Sequence, residues 1–337
     1  MPKVLVTGAN GHLGGALCRA LIDKNYIVRA GVRDPADKSR NRTLDGLAVE
    51  LVPIDLLQPE SLRAAMSGCE GLFHAAAVYQ TVSRNPEKEV VEPTVTGSRN
   101  ALLAAADAGV REIVYTSSVA AVGAHAPPEK PLTEDVWNDG AGNPYYYAKT
   151  RSEREAWKGA KDKQLNLIAI NPAVIIGPGF YRHTPSTGPF EMILRGKVPF
   201  SMPMGFTFVD VRDVADAHLC AYENPKASGR YLCGDAYYEI ADLMPVIREL
   251  FPKAKVPAHR APRWTLPFLA AGDWMTALFT GAPRLLTLSM IRETAGKQMR
   301  LSSDKLRREL GWQPRPFRDS LRETLNWIQT QFIDKSK

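Results

Sequence analysis

Cysteine is scarce and scattered: Cys18, Cys69, Cys220 and Cys233 are the only four in 337 residues, with no C-x-x-C pair and no histidine at ligand spacing. That usage excludes a disulfide framework and a zinc site, so no metal is expected and a reducing, cytoplasmic compartment fits. Also lacking is any run of about 18 uninterrupted apolar residues, the signature of a spanning helix. The nearest approach, 264–281, is broken by Pro267, Gly272 and Asp273. The chain opens directly into Lys3-Val-Leu-Val-Thr7, without a basic leader or a cleavage signal. Low-complexity tracts and internal repeats are missing. The net charge is +7, yet no run of five or more basic residues with interleaved aromatics occurs. Nucleic acid is therefore not an expected partner. What remains is an ordinary globular composition, 45% apolar and 23% charged, long enough for one large unit or two fused ones.

Over the first 170 residues, short β-branched runs alternate with amphipathic helical patterns. The expected strands are 4–7, 27–32, 49–54, 71–75, 113–117 and 165–170, and the expected helices are 13–24, 59–66, 91–108 and 144–160. Nearly continuous apolar strands separated by helices imply a parallel sheet covered on both faces. The expected fold class is therefore α/β, a doubly wound Rossmann sheet with ligands at the carboxyl ends of its strands. Beyond Asn171 the pattern changes. Residues 177–205 are rich in Gly, Pro and Met and read as a long loop with one short helix. Residues 206–209, a helix over 213–223, and 231–233 read as a return to the sheet, and helices dominate from Glu239 onward. The expected division is a dinucleotide-binding unit of 1–170 plus 206–235 and an interleaved, mostly helical substrate region of 171–205 plus 236–332.

The first strand runs into Gly8-Ala-Asn-Gly11-His-Leu-Gly14 and then a helix. Gly8 suits a tight turn, Gly11 a close backbone approach to a pyrophosphate, and Gly14 close helix–strand packing. The helix N-terminus adds free N–H groups and a positive dipole end. The second strand bears on the choice of cofactor. An enzyme for NAD usually ends it with an acid on the ribose 2′-hydroxyl, but here Arg33 stands near that position. A guanidinium there pairs bidentately with a 2′-phosphate and stacks on adenine, with Lys38 and Arg40 adding charge. NADP(H) is the expected cofactor. The other reading leaves Arg33 solvated and gives Asp34 the acid's task, with NAD(H).

The fifth strand ends in Thr116-Ser117-Ser118, and Tyr145-Tyr-Tyr-Ala-Lys149 opens a helix further on. Residues four apart share a helix face, so Tyr145 and Lys149 can address one site, while Tyr146 and Tyr147 pack or line it. Reduction of a carbonyl needs an acid for the developing alkoxide. A tyrosine with a pKa of about 10 serves only beside positive charge, which Lys149 supplies. Ser118 would position and polarise the carbonyl oxygen.

These residues resemble the extended short-chain dehydrogenase/reductases, and the dihydroflavonol 4-reductase-like branch in particular. The resemblance runs from Val4 to about Trp327. It rests on Thr7-Gly-Ala-Asn-Gly-His-Leu-Gly14, Val32-Arg-Asp-Pro35, Asp55-Leu56, His74-Ala-Ala-Ala77, Pro93-Thr-Val-Thr-Gly97 and Thr116-Ser-Ser118. Tyr145-x-x-x-Lys149, Asn171-Pro172, Val209-Asp-Val-Arg-Asp213 and Lys305-Leu-Arg-Arg-Glu-Leu-Gly-Trp-Gln-Pro314 complete it. It implies catalytic Ser118, Tyr145 and Lys149, with Ser117 in reserve. It also implies cofactor contacts from Gly8, Asn10, Gly11, His12, Leu13 and Gly14, and from Arg33 at the 2′-phosphate. Asp55 and Leu56 would flank adenine, Ala75, Ala76 and Ala77 would line the cofactor with Thr116, and Pro172 and Val174 would close over the nicotinamide.

Departures from the pattern narrow the substrate. Gly123 stands where plant flavonoid reductases carry an asparagine for the substrate's hydroxylated ring. Thr94 stands where many extended members have asparagine, as in the reductase branch. Gly205-Phe-Thr-Phe-Val-Asp210-Val lacks the Arg and His of nucleotide-sugar epimerases. The expected activity is interconversion of an apolar ketone or aldehyde with its alcohol. The alternatives are a 3β-hydroxysteroid dehydrogenase/decarboxylase-like enzyme, a sugar epimerase or dehydratase with bound NAD, and a cofactor-sensing protein without turnover.

His12, His74 and His125 read as structural. Asp213 and Asp216 read as capping the returning helix, and Met192, Met202 and Met204 as packing or an adaptable pocket wall. Trp264, Phe268, Trp274 and Phe279 leave open a flap, a dimer surface or an interfacial membrane helix, with core packing the default. A homodimer is compatible with all of this.

Overall fold

The structure, a computed structural model, describes residues 1–77, 83, 85–127, 129–280 and 286–336. In chain order, β1 (Lys3–Thr7), α1 (His12–Asp23), β2 (Ile27–Val32), β3 (Val49–Pro53), α2 (Pro59–Met66) and β4 (Gly71–His74) come first. They are followed by α3 (Glu92–Asp107), β5 (Glu112–Thr116), α4 (Pro144–Lys163) and β6 (Asn166–Pro172). These elements match the sequence expectation to within a few residues at each end. Next come β7 (Val174–Ile176), α5 (Gly188–Leu194), β8 (Gly205–Asp210), α6 (Val211–Glu223), β9 (Gly229–Cys233) and β10 (Ala236–Glu239). Last are α7 (Ile240–Leu250), α8 (Leu266–Thr280), α9 (Leu288–Thr294), β11 (Gln298–Met299), α10 (Asp304–Leu310) and α11 (Phe317–Ile328).

Seven strands form a wholly parallel sheet in the order β3-β2-β1-β4-β5-β6-β9. Because side chains alternate along a strand, each strand feeds both faces. Val4, Val6, Val114, Ile168 and Ile170 pack with Leu17, Leu21, Val214 and Ala217 from α1 and α6 on one face. Leu5, Ile113, Tyr115, Leu167 and Ala169 meet Leu102, Ala105, Ala156 and Ala160 from α3 and α4 on the other. This two-sided burial accounts for the nearly unbroken apolar runs. Leu5, Leu17, Leu72 and Leu102 are fully buried, each contributing about 1.5–3 kcal/mol relative to exposure.

One expected return to the sheet is corrected. Residues 229–233 do join it as β9, but β8 does not. The place beside β6 is already taken by β9, register Ile168↔Gly229. β8 instead centres a second sheet, parallel to β7 and β11 and antiparallel to β10. The chain passes from one sheet to the other across Ala173, between β6 and β7. This smaller layer has its own core of Ile176, Phe190, Phe208, Leu243, Ile247, Phe317 and Leu325.

The capping expectation also changes. Asp210, not Asp213, caps α6, accepting from Arg212 N at 2.8 Å. Asp213 instead takes the Arg315 guanidinium and Arg315 N, while its carbonyl receives Trp312 Nε1 at 2.8 Å. The Lys305–Pro314 motif thus straps the C-terminal helices onto α6.

Candidate active site

The carboxyl ends of the central strands open into one cavity of about 880 Å³. The glycine loop is its most constrained part. Gly8 has φ +66°, and a Cβ on it would sit 2.9 Å from Ala76 Cα. A Cβ on Gly14 would lie 2.1 Å from Gly8 O, so a side chain there would separate α1 from β1. Gly11 precedes the first turn of α1, and no side chain caps that helix. Its N–H groups are left for an anion, and a pyrophosphate fits a cradle that side chains at these positions would fill.

Asn10, His12 and Leu13 line the same cavity. Asn10 Nδ2 donates to Asn41 Oδ1 at 2.8 Å, and Asn41 Nδ2 donates to Asp34 O at 2.9 Å, clipping the loop to the segment after β2. His12 Nε2 lies 3.1 Å from Pro178 O, and burial lowers its pKa to about 4. The carbonyl only accepts, so the neutral ring donates.

Arg33, Asp34, Asp37 and Arg40 line the cavity beyond β2. Arg33 is exposed and has no hydrogen bond or ion pair among the described residues. Asp34 Oδ1 accepts from Ala36 N at 2.9 Å, and Arg40 pairs with Asp37 at 3.2 Å. Asp55, Leu56, Ala75, Ala76 and Ala77 line it further along. Thr7 Oγ1 accepts from Ala76 N at 3.2 Å and bonds His74 Nδ1 at 2.9 Å, holding the β4 end against β1. His74 stacks on Tyr115, and burial, with Lys149 adding to it, lowers its pKa to about 3.

At the β5 end the three hydroxyls divide. Thr116 Oγ1 bonds His218 Nε2 at 2.8 Å, while its carbonyl accepts Lys149 Nζ at 3.1 Å. Ser117 is buried, and its hydroxyl donates to Glu153 Oε2 at 2.5 Å. Ser118 is partly exposed, lines the cavity, and accepts from Ala120 N at 3.1 Å. Only Ser118, of the two serines, turns its hydroxyl away from the buried carboxylate. Asn143 caps α4, accepting from Tyr145 N at 2.9 Å, with Pro144 in the first turn. Such a cap contributes about 0.5–2 kcal/mol and holds Tyr145 at the helix mouth. Lys149 follows one turn later, nearly buried, and desolvation lowers its pKa to about 8 while Glu153 acts the opposite way. Pro172 and Val174, at the passage between the two sheets, line the cavity as well.

Glu153 went unnoticed in the sequence. It is fully buried and pairs with Arg230 at 2.7 Å. Its carboxylate also receives Ser117 Oγ, Asn171 Nδ2 at 2.8 Å and Trp157 Nε1 at 3.2 Å. Asn171 Nδ2 in turn donates to Ser118 O at 3.2 Å. One carboxylate thus ties α4 to the ends of β5 and β6. The spacing Tyr145, Lys149, Glu153 at successive fours was the available signal, masked by the charged residues around it. Arg182, Thr184 and Ser186, from the loop after β7, also line the cavity. Opposite in character, Val119, Tyr146, Phe206 and Met299 join one apolar cluster and line the cavity too. Met192, Met202 and Met204 do not line it. Gly123 does not either, and a Cβ there would touch Leu132 at 3.1 Å.

The NAD-dependent epimerase/dehydratase family model matches residues 4–234. The chain belongs to that family. Cinnamoyl-CoA reductase 1 of Petunia hybrida is 38% identical over 267 residues, 75% of this chain and 79% of that protein. The bifunctional dihydroflavonol 4-reductase/flavanone 4-reductase of Malus domestica is 34% identical over 272 residues, covering 76% and 78%. Among solved structures, gox2253 superposes with a TM-score of 0.81 at 31% identity, covering 98% of this chain and 99% of that one. Gre2 of Candida albicans, in complex with NADPH, superposes with a TM-score of 0.77 at 25% identity over 98% and 100%. The extended short-chain reductase assignment and its nicotinamide dinucleotide cofactor therefore stand, and the chain is an oxidoreductase. No described helix is long and apolar enough to cross a membrane.

Proposed function

We propose that this enzyme interconverts apolar ketones or aldehydes with their alcohols, using NADP(H) and Tyr145 as the acid and base. The observation that carries the reading is one shared cavity. It joins the glycine cradle and Arg33 to Ser118, Tyr145 and Lys149, against the apolar wall of Val119, Tyr146, Phe206 and Met299. An apolar wall beside the reacting groups favours substrates whose carbonyl is the main polar feature. The reductase relatives support the same chemistry.

Arg33 and Asp34 support NADP(H) over NAD(H). The Arg33 guanidinium is unengaged, whereas Asp34 is held in a local turn by Ala36 N and is a poor acceptor for a ribose hydroxyl. NADPH, when bound, would supply the hydride for the carbonyl carbon. As the C–O π pair moves to oxygen, Tyr145 Oη gives that oxygen its proton and is left a phenolate. Lys149, mostly protonated at pH 7 with a pKa near 8, offsets that charge. Ser118 Oγ donates to the carbonyl oxygen and orients it. Oxidation of the alcohol runs the same steps in reverse. In this reading the glycine loop and the carboxyl ends of the seven-stranded sheet would hold the dinucleotide, and β8, β11 and the loop after β7 would shape the substrate side.

A panel of apolar ketones and aldehydes, followed by NADPH absorbance, tests the reading. Oxidation of NADPH with several of them, and slower oxidation of NADH, is the expected result. No oxidation with any, alongside isomerisation of a nucleotide sugar, would replace it with the epimerase reading.

A further inference from the structure

The expectation that Trp264, Phe268, Trp274 and Phe279 pack in the core is overturned, because they are 72%, 71%, 52% and 80% exposed. Leu266 and Ala270 rest on the protein, and Asp273 and Ala277 lie on that same side of α8. On the opposite side, Phe268, Ala271, Met275, Leu278 and Phe279 follow one another at helical spacing, continuing the line of Trp264. Trp264 and Phe268 meet edge to face, 6.4 Å apart. The outward face carries no charged residue. Its one hydroxyl, Thr276, donates back to Gly272 O at 2.9 Å. The helix's single charge, Asp273, points the other way and accepts from Leu286 N at 3.2 Å. A helix that turns its charge inward and its aromatics outward inverts the usual surface pattern.

The charge of the sequence that flanks α8 says what covers this face. From Lys253 to Arg300 the sequence holds eight Lys and Arg against only Asp273 and Glu293, so +6 of the chain's +7 lies in this stretch. Lys253, Lys255, Arg260, Arg263 and Arg292 are exposed. A second copy of the chain would bring two such segments together and be repelled, whereas an anionic surface is attracted. At 15 residues, α8 is about 22 Å long, short of the roughly 30 Å hydrocarbon core of a bilayer. It therefore suits the membrane plane and not a crossing.

We infer that α8 and Trp264 form an interfacial helix that docks the enzyme on an anionic lipid bilayer, with the flanking lysines and arginines against the headgroups and the aromatics below them. β11 begins a few residues beyond α9, and its Met299 lines the active-site cavity. α8 packs against α9, so the docked face reaches the cavity wall through α9. Docking itself does not depend on the proposed substrate.

Flotation of the full-length protein with vesicles of phosphatidylcholine alone, or mixed with phosphatidylglycerol, tests the inference. The parent should bind the mixed vesicles, lose most binding in high salt, and show a blue shift of tryptophan emission. The triple substitution Trp264→Ser, Phe268→Ser, Phe279→Ser should weaken vesicle binding by about tenfold or more while NADPH binding stays unchanged. Lys253→Glu with Lys255→Glu should weaken binding to the mixed vesicles only. Failure of the parent to bind either vesicle would overturn the inference, as would equal binding by the triple variant. A parent dimer that the triple substitution dissolves, without vesicle binding, would assign the face to a second copy instead.

Discussion

Replacing Arg33 with alanine isolates the feature on which cofactor choice depends. The guanidinium lines the cavity, is exposed and is held by no described residue, so its removal breaks no internal contact and should leave the fold intact. A hydrogen bond to a charged group contributes about 1.5–3 kcal/mol, and exposure to solvent and salt favours the low end. A loss of about 1.5–2 kcal/mol corresponds to roughly 10–30-fold in affinity. Fluorescence titration of the parent and Arg33→Ala with NADPH and NADH reads this directly. NADPH should weaken by that factor and NADH by only about two- to threefold through lost stacking on adenine, since NADH presents no 2′-phosphate. The loss should shrink as ionic strength rises. Equal weakening of both cofactors, or none of either, would refute the reasoning and return the selective role to Asp34.

Two further outcomes follow from the buried groups. Glu153→Gln leaves Arg230 buried without its counter-charge, which should cost about 3–5 kcal/mol of stability. It also withdraws the carboxylate that favours protonated Lys149, so the alkaline limb of activity should move to lower pH; an unchanged melt and pH profile would remove Glu153 from the site's support. His12, His74 and His218 are held neutral by burial, with pKa values lowered to about 4, 3 and 4. Below about pH 6.5 the unfolded chain takes up protons that the folded one refuses. Stability present above that pH should therefore fall steadily toward pH 4, by about 1 kcal/mol or more per histidine at pH 5. Thermal melts at pH 7 and pH 5 that coincide would contradict this.

The parts that could be read before folding were those set by local physics. The first glycine loop, the alternation of β1 to β6 with their helices, and the Tyr145–Lys149 spacing all follow from backbone geometry and period. The position of β8 did not, because its apolar run suits either sheet and only the competition with β9 for the edge of β6 decides it. Glu153 was hidden for a related reason. A carboxylate in a helix rich in lysine and arginine looks solvated until Arg230, 77 positions away, is brought beneath it. The exposure of α8 was illegible as well, since its aromatic composition matches a core helix and only its loose docking reveals the outward face. Ser118 and Ser117 were separable by family register alone, and the structure adds a physical distinction in the Ser117–Glu153 hydrogen bond.

In the proposed reaction Tyr145 delivers the proton to a carbonyl reduced by a bound dinucleotide. The most direct test of that role is Tyr145→Phe, assayed for steady-state turnover and, separately, for NADPH binding. Turnover should fall by about two to four orders of magnitude, with cofactor affinity changed by no more than a few fold. A variant that turns over at the parent rate would contradict that role.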